Sequence, residues 1–111
     1  MIDLIRDNLD RIRALCEQHH VQRLDVFGSA ADGRFREGES DVDFIVEFQD
    51  VPPLVRGDAF FGLLFALEEL FGREVDLVSA RPPGEGNPYF WRTAQKSRQV
   101  VYERRRQEAP V

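Results

Sequence analysis

The sequence predicts a small α/β (α+β) domain in which helices pack on a mixed β-sheet. Two patterns support this fold class. Three segments carry apolar residues at helical spacing, and three others alternate between apolar and polar residues, with the two kinds intermixed along the chain. The 111 residues are 42% hydrophobic, which suffices for one core and not for two. We therefore predict a single domain over residues 1–111.

The first half of the chain is predicted to hold one helix and two strands. Residues 3–19 carry apolar side chains every three or four positions, which predicts one amphipathic helix. Residues 21–27 end at Gly28 and predict a short strand that runs into a tight turn. Residues 41–48 alternate regularly and predict the clearest strand, whose inward face is formed by Val42, Phe44, Val46 and Phe48.

The second half is predicted to contain a helix, a strand and a last helix. Residues 58–71 have helical spacing, with Asp58 as the N-cap and Gly72 at the C-terminal cap. Residues 74–79 predict a third strand beside the second one. Asn87 followed by Pro88 indicates the start of a last helix that extends to about residue 104.

The phenylalanines of the 58–71 helix allow two interpretations. Aromatic residues at helical spacing usually face the core, so we expect these rings to pack on the sheet. The alternative is that surplus rings form a docking surface. The residues concerned are Phe60, Phe61, Phe65 and Phe71.

Composition excludes several classes of protein. The net charge of −5 does not favour direct nucleic-acid binding. The longest apolar run, residues 59–67, is far shorter than the roughly 20 residues that a membrane-spanning helix needs. The N-terminus shows no secretory signal, so we expect a cytoplasmic protein. Cys16 is the only cysteine, which excludes an internal disulfide.

Two acids on the second predicted strand suggest a metal site. Asp41 and Asp43 leave the same face of the strand about 7 Å apart at Cα. Hard carboxylate oxygens suit Mg²⁺, which also takes water and substrate phosphate as ligands. Asp76 has the same outward phase on the third strand and could supply a third ligand. A solvated acidic face is the commoner explanation of an isolated Asp-x-Asp. The other motifs of the chain therefore give the context that decides between a solvated face and a metal site.

The turn after the first strand supplies that context. Gly28 leaves room for a phosphate to approach the backbone, and the free amides that follow favour an anion. Ser29 would add a hydroxyl donor, although an ordinary turn capped by Ser29 is the alternative. A P-loop is excluded because Arg34 and Phe35 stand where that motif needs Lys and Ser or Thr.

The combination of these motifs resembles the minimal nucleotidyltransferase family of the DNA polymerase beta superfamily. The resemblance extends from the first strand to the start of the last helix. It implies a polymerase-beta-like nucleotidyltransferase fold. The residues that carry it are Gly28-Ser29, then after eleven residues Asp41-Val42-Asp43, and Asp76 within Val75-Asp76-Leu77-Val78.

The resemblance also implies roles for individual residues. It implies that Gly28 and Ser29 hold the nucleotide phosphates. Asp41 and Asp43 would ligate one or two Mg²⁺ ions. Asp76 would be the third catalytic carboxylate and metal ligand, and it would help to deprotonate the acceptor hydroxyl.

Small members of the family resemble the antitoxin of a toxin–antitoxin pair whose partner is an all-helical HEPN protein. The implied activity is Mg-dependent transfer of AMP from ATP to a hydroxyl of that partner, typically of a tyrosine, which makes the chain a protein adenylyltransferase. A binding module that neutralises its partner by contact alone is the alternative. Transfer to a small molecule, as in aminoglycoside-modifying relatives, is a further alternative. Both a homo-oligomer and a hetero-oligomer remain open.

Overall fold

The computed structural model describes residues 1–33, 41–81 and 85–105. Within these ranges the chain forms five helices and four strands. In chain order they are α1 (Asp3–Arg6), α2 (Leu9–Gln18), β1 (Val21–Phe27), α3 (Ser29–Asp32), β2 (Val42–Phe48), α4 (Pro53–Phe71), β3 (Val75–Ser79), α5 (Pro88–Gln95) and β4 (Gln99–Glu103).

The four strands form one mixed sheet in the order β3-β2-β1-β4. Strand β1 is antiparallel to both β2 and β4, whereas β2 and β3 are parallel. Helix α4 makes the crossover that a parallel pair requires. The predicted fold class is confirmed, and so is the prediction that the second and third strands are neighbours.

One face of the sheet forms the hydrophobic core with the helices. The predicted inward residues of β2 lie in this core, with Phe48 half-buried at its margin. Because successive side chains of a strand point to opposite faces, the remaining residues of β1 and β2 lie on the other face. The central core residues are Ile12, Cys16, Leu24, Val26, Val42, Phe44, Val46, Leu63 and Leu67.

The single helix predicted over residues 3–19 is wrong, because the structure contains two helices there. Asn8 lies between α1 and α2 with φ −118° and ψ 17°. Its side-chain amide donates to the Leu4 carbonyl at 2.8 Å. A side chain that occupies a backbone carbonyl in this way competes with the helical hydrogen bond, which explains the break.

Helix α4 begins at Pro53, earlier than the predicted start at residue 58, so Asp58 is not its N-cap. Pro52 has an extended ψ of 151° and Pro53 follows as the first helical residue, a position that tolerates the missing amide hydrogen. Gly72 closes the helix with φ 64°, as predicted, and its N–H donates to the Glu68 carbonyl at 2.8 Å.

The last predicted helix is wrong in its second half. Asn87 does cap α5, because its side chain accepts the amide hydrogen of Tyr89 at 3.0 Å. The helix ends at Gln95, and residues 99–103 form strand β4 against β1. Adjacent valines and Tyr102 favour a strand. Tyr102 is buried in the sheet and does not anchor a helix.

Among the described residues, no helix combines the length and the apolar character that a crossing of the membrane would require.

Candidate active site

The site begins with two carboxylates on neighbouring parallel strands. Asp43 is the second residue of β2 and Asp76 is the second residue of β3, and the two are direct partners in the sheet register. Residues in register on adjacent strands project to the same face of the sheet. The structure therefore brings together two of the three predicted acids.

The carboxyl group of Asp43 has a raised pKa. Burial raises the pKa of the Asp43 carboxyl to about 6, and the nearby charge of Asp76 acts in the same direction. A hydrogen bond with the Asp76 side chain and the charge of Asp41 raise it further. Two ionised carboxylates this close repel each other, and a cation bound between them would relieve that repulsion.

Gly28 lies directly against Asp43. Its backbone has φ 68° and ψ −149°, a conformation that is essentially restricted to glycine. A Cβ atom at this position would lie 2.8 Å from Oδ2 of Asp43. Because glycine has no side chain, the Asp43 carboxylate can lie beside the turn without a steric clash. The sequence interpretation did not assign this role to Gly28.

A residue far along the chain makes a hydrogen bond to the turn at Gly28. The amide of Gly28 donates to Oγ of Ser97 at 2.8 Å, whereas the Gly28 carbonyl accepts the amide hydrogens of Ala31 and Asp32. Ser29 follows as the first residue of α3, and its side chain is half-buried. The predicted phosphate turn thus stands next to the acid pair, with its first amide engaged by Ser97.

Asp41 lies just outside the strand that was predicted to contain it. It precedes β2 and is exposed, and its charge reaches Asp43. Within the described ranges, no three His, Cys, Asp or Glu side chains are arranged to hold a metal ion. The neighbouring carboxylates of the half-buried Asp43 and the exposed Asp76 offer the hard oxygens that Mg²⁺ prefers. A metal site that also includes Asp41 stays a prediction.

A comparison with protein families agrees with this geometry. The family model described as a nucleotidyltransferase domain matches residues 9–106, which is most of the chain. The chain belongs to this nucleotidyltransferase family. The family-level resemblance inferred from the Gly-Ser turn and the acids is thereby confirmed.

Two archaeal proteins are similar to this nucleotidyltransferase domain in sequence. The protein adenylyltransferase MntA of Thermococcus cleftensis is 41% identical over 66 residues, which are 60% of this chain and 63% of the relative. The protein MJ0128 of Methanocaldococcus jannaschii is 38% identical over 66 residues, with the same coverage. The match therefore spans less than two thirds of the length of either relative.

Solved structures share the fold of this nucleotidyltransferase domain. A structure described as a candidate minimal nucleotidyltransferase has a TM-score of 0.67 and 33% identity, and the match covers 87% of this chain and 92% of that one. A toxin–antitoxin structure with AMP-PNP has a TM-score of 0.65 at 21% identity, covering 87% and 74%. An MntA-HpeT toxin–antitoxin structure has the same TM-score at 19% identity, with the same coverage.

The sequence interpretation missed a further acid of the nucleotidyltransferase domain, Asp25. Asp25 is fully buried on β1, on the same sheet face as Phe27, and Phe27 is the register partner of Asp43. Arg23 donates from Nε to Oδ1 of Asp25 at 2.9 Å and from Nη2 to Oδ2 at 3.1 Å. Arg98 donates to Oδ2 from the turn before β4.

Of the residues that the sequence interpretation missed, Asp25 could have been found from the sequence, whereas Ser97 and Arg98 could not. An aspartate between Leu24 and Val26 in a buried strand indicates an acid with a specific partner, so Asp25 was detectable from the sequence. Ser97 and Arg98 carry no such signal. They reach the site because β4 pairs with β1, and the sequence predicted a helix in that part of the chain.

Proposed function

We propose that this chain is a nucleotidyltransferase that transfers AMP from ATP to a hydroxyl of a partner protein. The observation that carries the proposal is the carboxyl pair of Asp43 and Asp76, in which Asp43 lies against Gly28, the residue before Ser29. The names of the relatives support a protein acceptor, since one of them is a protein adenylyltransferase and two structural neighbours are toxin–antitoxin assemblies.

The residues divide into two groups by task. The turn at Gly28 and Ser29 would receive the triphosphate, with the Ser29 hydroxyl as a donor. Asp76 would accept the proton of the attacking hydroxyl. Asp43 lies beside Asp76 on the neighbouring strand β2. The acceptor oxygen forms a bond to the α-phosphorus, the bond from that phosphorus to the bridging oxygen breaks, and pyrophosphate leaves.

The chemistry of the acids also suits a divalent cation. Asp41 and Asp43, with Asp76, would hold Mg²⁺, which supplies neutralisation of charge on the phosphates. This assignment is supported by the raised pKa of Asp43, because two neighbouring like charges are stabilised by a cation that fits between them.

The proposed partner is an all-helical toxin of the HEPN class with a tyrosine as the acceptor, in the cytoplasm. The test incubates the purified chain with ATP, Mg²⁺ and the product of the neighbouring reading frame, and follows the partner's mass. We expect the added mass of one AMP. Asp43→Asn should slow the transfer on the order of a thousandfold, because a ligand of the proposed Mg²⁺, which would neutralise charge on the phosphates, is lost.

A matched control defines what counts against this proposal. Asp10→Asn removes an exposed acid from α2 and should transfer AMP at the wild-type rate. Asp76→Asn should slow transfer by about a hundredfold or more, as expected for a lost general base. Equal rates in the wild type and in both site variants would refute the assignment of the acids.

One observation favours a second candidate, the non-catalytic binding module. The amide of Gly28 is engaged by Ser97 Oγ at 2.8 Å and so is not free for a phosphate. On this alternative the chain silences its partner by contact alone. Silencing of the partner by Asp43→Asn as complete as that by the wild type, with no added AMP in either case, would favour the binding module.

A further inference from the structure

The exposed side of helix α4 carries an apolar surface. Side chains spaced by 4, 3, 4 and 4 residues along a helix lie on one face. On this face Phe61 is 56% exposed, Phe65 is 62% exposed and Leu54 is 86% exposed. We call these three residues the α4 patch. The full series on this face is Leu54, Asp58, Phe61, Phe65 and Glu69.

The rings of the α4 patch are organised. Phe61 and Phe65 stack with centroids 6.3 Å apart, and Phe60 contacts Phe61 edge-on at 5.3 Å. Other large exposed apolar residues, such as Leu9, Tyr89 and Val100, are single residues on α2, α5 and β4. Isolated exposed residues are common on soluble proteins, whereas a contiguous aromatic patch marks an interaction site.

A groove adjoins the patch and gives it shape. Its volume is about 340 Å³, and Phe61 forms part of its wall. Such a groove accommodates one large apolar side chain, which is how the centre of a protein interface is commonly built. Its lining comprises Phe48, Pro53, Arg56, Gly57, Phe60, Phe61 and Ser79.

The charges around the patch distinguish between occupants. Asp58 lies between Leu54 and Phe61 on the exposed face, and Glu69 follows Phe65 by one turn; both are exposed. A two-fold pairing of α4 with a second copy places the same patch on both sides. An antiparallel pairing centred between the two rings would bring Asp58 near Glu69 of the copy, and a parallel one would place Asp58 against Asp58. On the face that carries the patch, acids would face acids in both pairings, which is unfavourable at an interface. Arg56, in the wall of the groove, lies on another side of the helix, two positions from Asp58 and five from Phe61.

We infer that the α4 patch is the docking surface for the partner protein, and that the partner presents an apolar side chain flanked by Lys or Arg. The apolar side chain would enter the groove and the cations would meet Asp58 and Glu69. The inference rests on the proposed function for the existence of a partner. It assigns to α4 a contact that holds the partner on the chain, on the side of the sheet opposite to Asp43 and Asp76.

The binding experiment is performed without ATP, so that it does not depend on catalysis. The probe is the product of the neighbouring reading frame, titrated into wild type and variants by calorimetry. Phe61→Ser combined with Phe65→Ser should weaken binding by about thirtyfold or more, because aromatic residues at the centre of an interface dominate its affinity. Asp58→Lys combined with Glu69→Lys should weaken it too, and more strongly at low salt.

The controls separate docking from folding. Val100→Thr alters an exposed apolar residue on β4 and should bind like the wild type. Circular dichroism should show that the Phe61→Ser, Phe65→Ser variant is folded, since both rings are exposed. If that variant unfolds, the charge-reversed variant carries the test, because it leaves the aromatic residues in place.

Three outcomes would overturn the inference. They are unchanged affinity in both patch variants, absence of binding by the wild type, and a wild-type dimer in sedimentation that Phe61→Ser dissociates. The last outcome would identify a second copy as the occupant. Failure of the proposed function gives a different result: the partner binds through α4 and receives no AMP.

Discussion

Two carboxylates on one face of the sheet, the fully buried Asp25 and the half-buried Asp43, have opposite electrostatic environments. Asp25 is fully buried and receives hydrogen bonds from Arg23 and Arg98, so its charge is compensated. Asp43 lies nearby on β2, where it faces Asp76 and where its pKa is raised to about 6. Burying a charge is costly unless it is paired. The comparison indicates that Asp25 is compensated by cations of the chain itself, whereas Asp43 has another acid as its neighbour and would receive a cation from outside the chain in the proposed function.

Removing Asp25 should have the largest effect on stability. Asp25→Ala leaves the side chain of Arg98, which is 19% exposed, without its carboxylate. Breaking a buried pair from one side costs about 3–5 kcal/mol of unfolding free energy. Urea unfolding measures the loss, and Asp50→Ala, which removes an exposed acid after β2, should cost about 0.5 kcal/mol or less. A similar small loss in both variants would show that the Asp25 cluster is not structural.

Adding a side chain at Gly28 should have the next largest effect. The positive φ costs an alanine about 1–3 kcal/mol, and the contact of its Cβ with Asp43 Oδ2 adds to that. Gly72→Ala is the matched control, because Gly72 also has a positive φ but a Cβ there meets open space. Thermal unfolding should show a larger loss for Gly28→Ala than for Gly72→Ala. Asp43→Ala should reduce that difference without abolishing it, because the backbone conformation of Gly28 is less accessible to alanine than the left-handed helical conformation of Gly72. An undiminished difference would contradict the steric explanation.

The pH dependence of stability should carry the smallest effect. The pKa of Asp43 is raised in the folded protein from 3.8 to about 6, so between these values the folded state holds a proton that the unfolded state has lost. Stability therefore falls as pH rises from about 4 to about 6. The linkage relation gives about 3 kcal/mol at most, and solvent screening of this half-buried group reduces it to about 1 kcal/mol.

Urea unfolding at several pH values tests this slope against a matched variant. Asp43→Asn should lack the decline, because the amide does not titrate. Mg²⁺ should reduce the decline in the wild type if the acid pair binds it, since a cation stabilises the ionised form. An identical slope in the wild type and in Asp43→Asn would show that Asp43 is an ordinary acid.

The exposed aromatic residues of α4 show that the spacing of apolar residues does not always reveal which side of a helix is buried. The helix is apolar on nearly every side around Phe60 to Leu67, so its sequence does not define which side faces the sheet. The expectation that its phenylalanines pack inward is confirmed for Phe71, which stacks on Phe44 at 6.1 Å, and for Phe60, which is half-buried against the core. It is wrong for Phe61 and Phe65. Only the position of the sheet decided which rings remained in solvent.

The sequence by itself determined the local elements of the site and the family. The alternation in β2, the Gly-Ser turn after β1 and the acid in β3 are patterns of neighbouring residues, so single-residue spacing was enough to find them. The same reasoning placed Asp43 and Asp76 on adjoining strands, which the parallel register confirms.

Only the tertiary structure decided the contacts between distant parts of the chain. Arg98 reaches Asp25 across 73 positions, and Ser97 reaches the Gly28 amide across 69. Both contacts depend on β4, whose residues were predicted to be helical because the pairing that makes them a strand lies far away in the sequence. Strand propensity follows from the neighbours that a strand packs against, and those neighbours exist only once the sheet has formed.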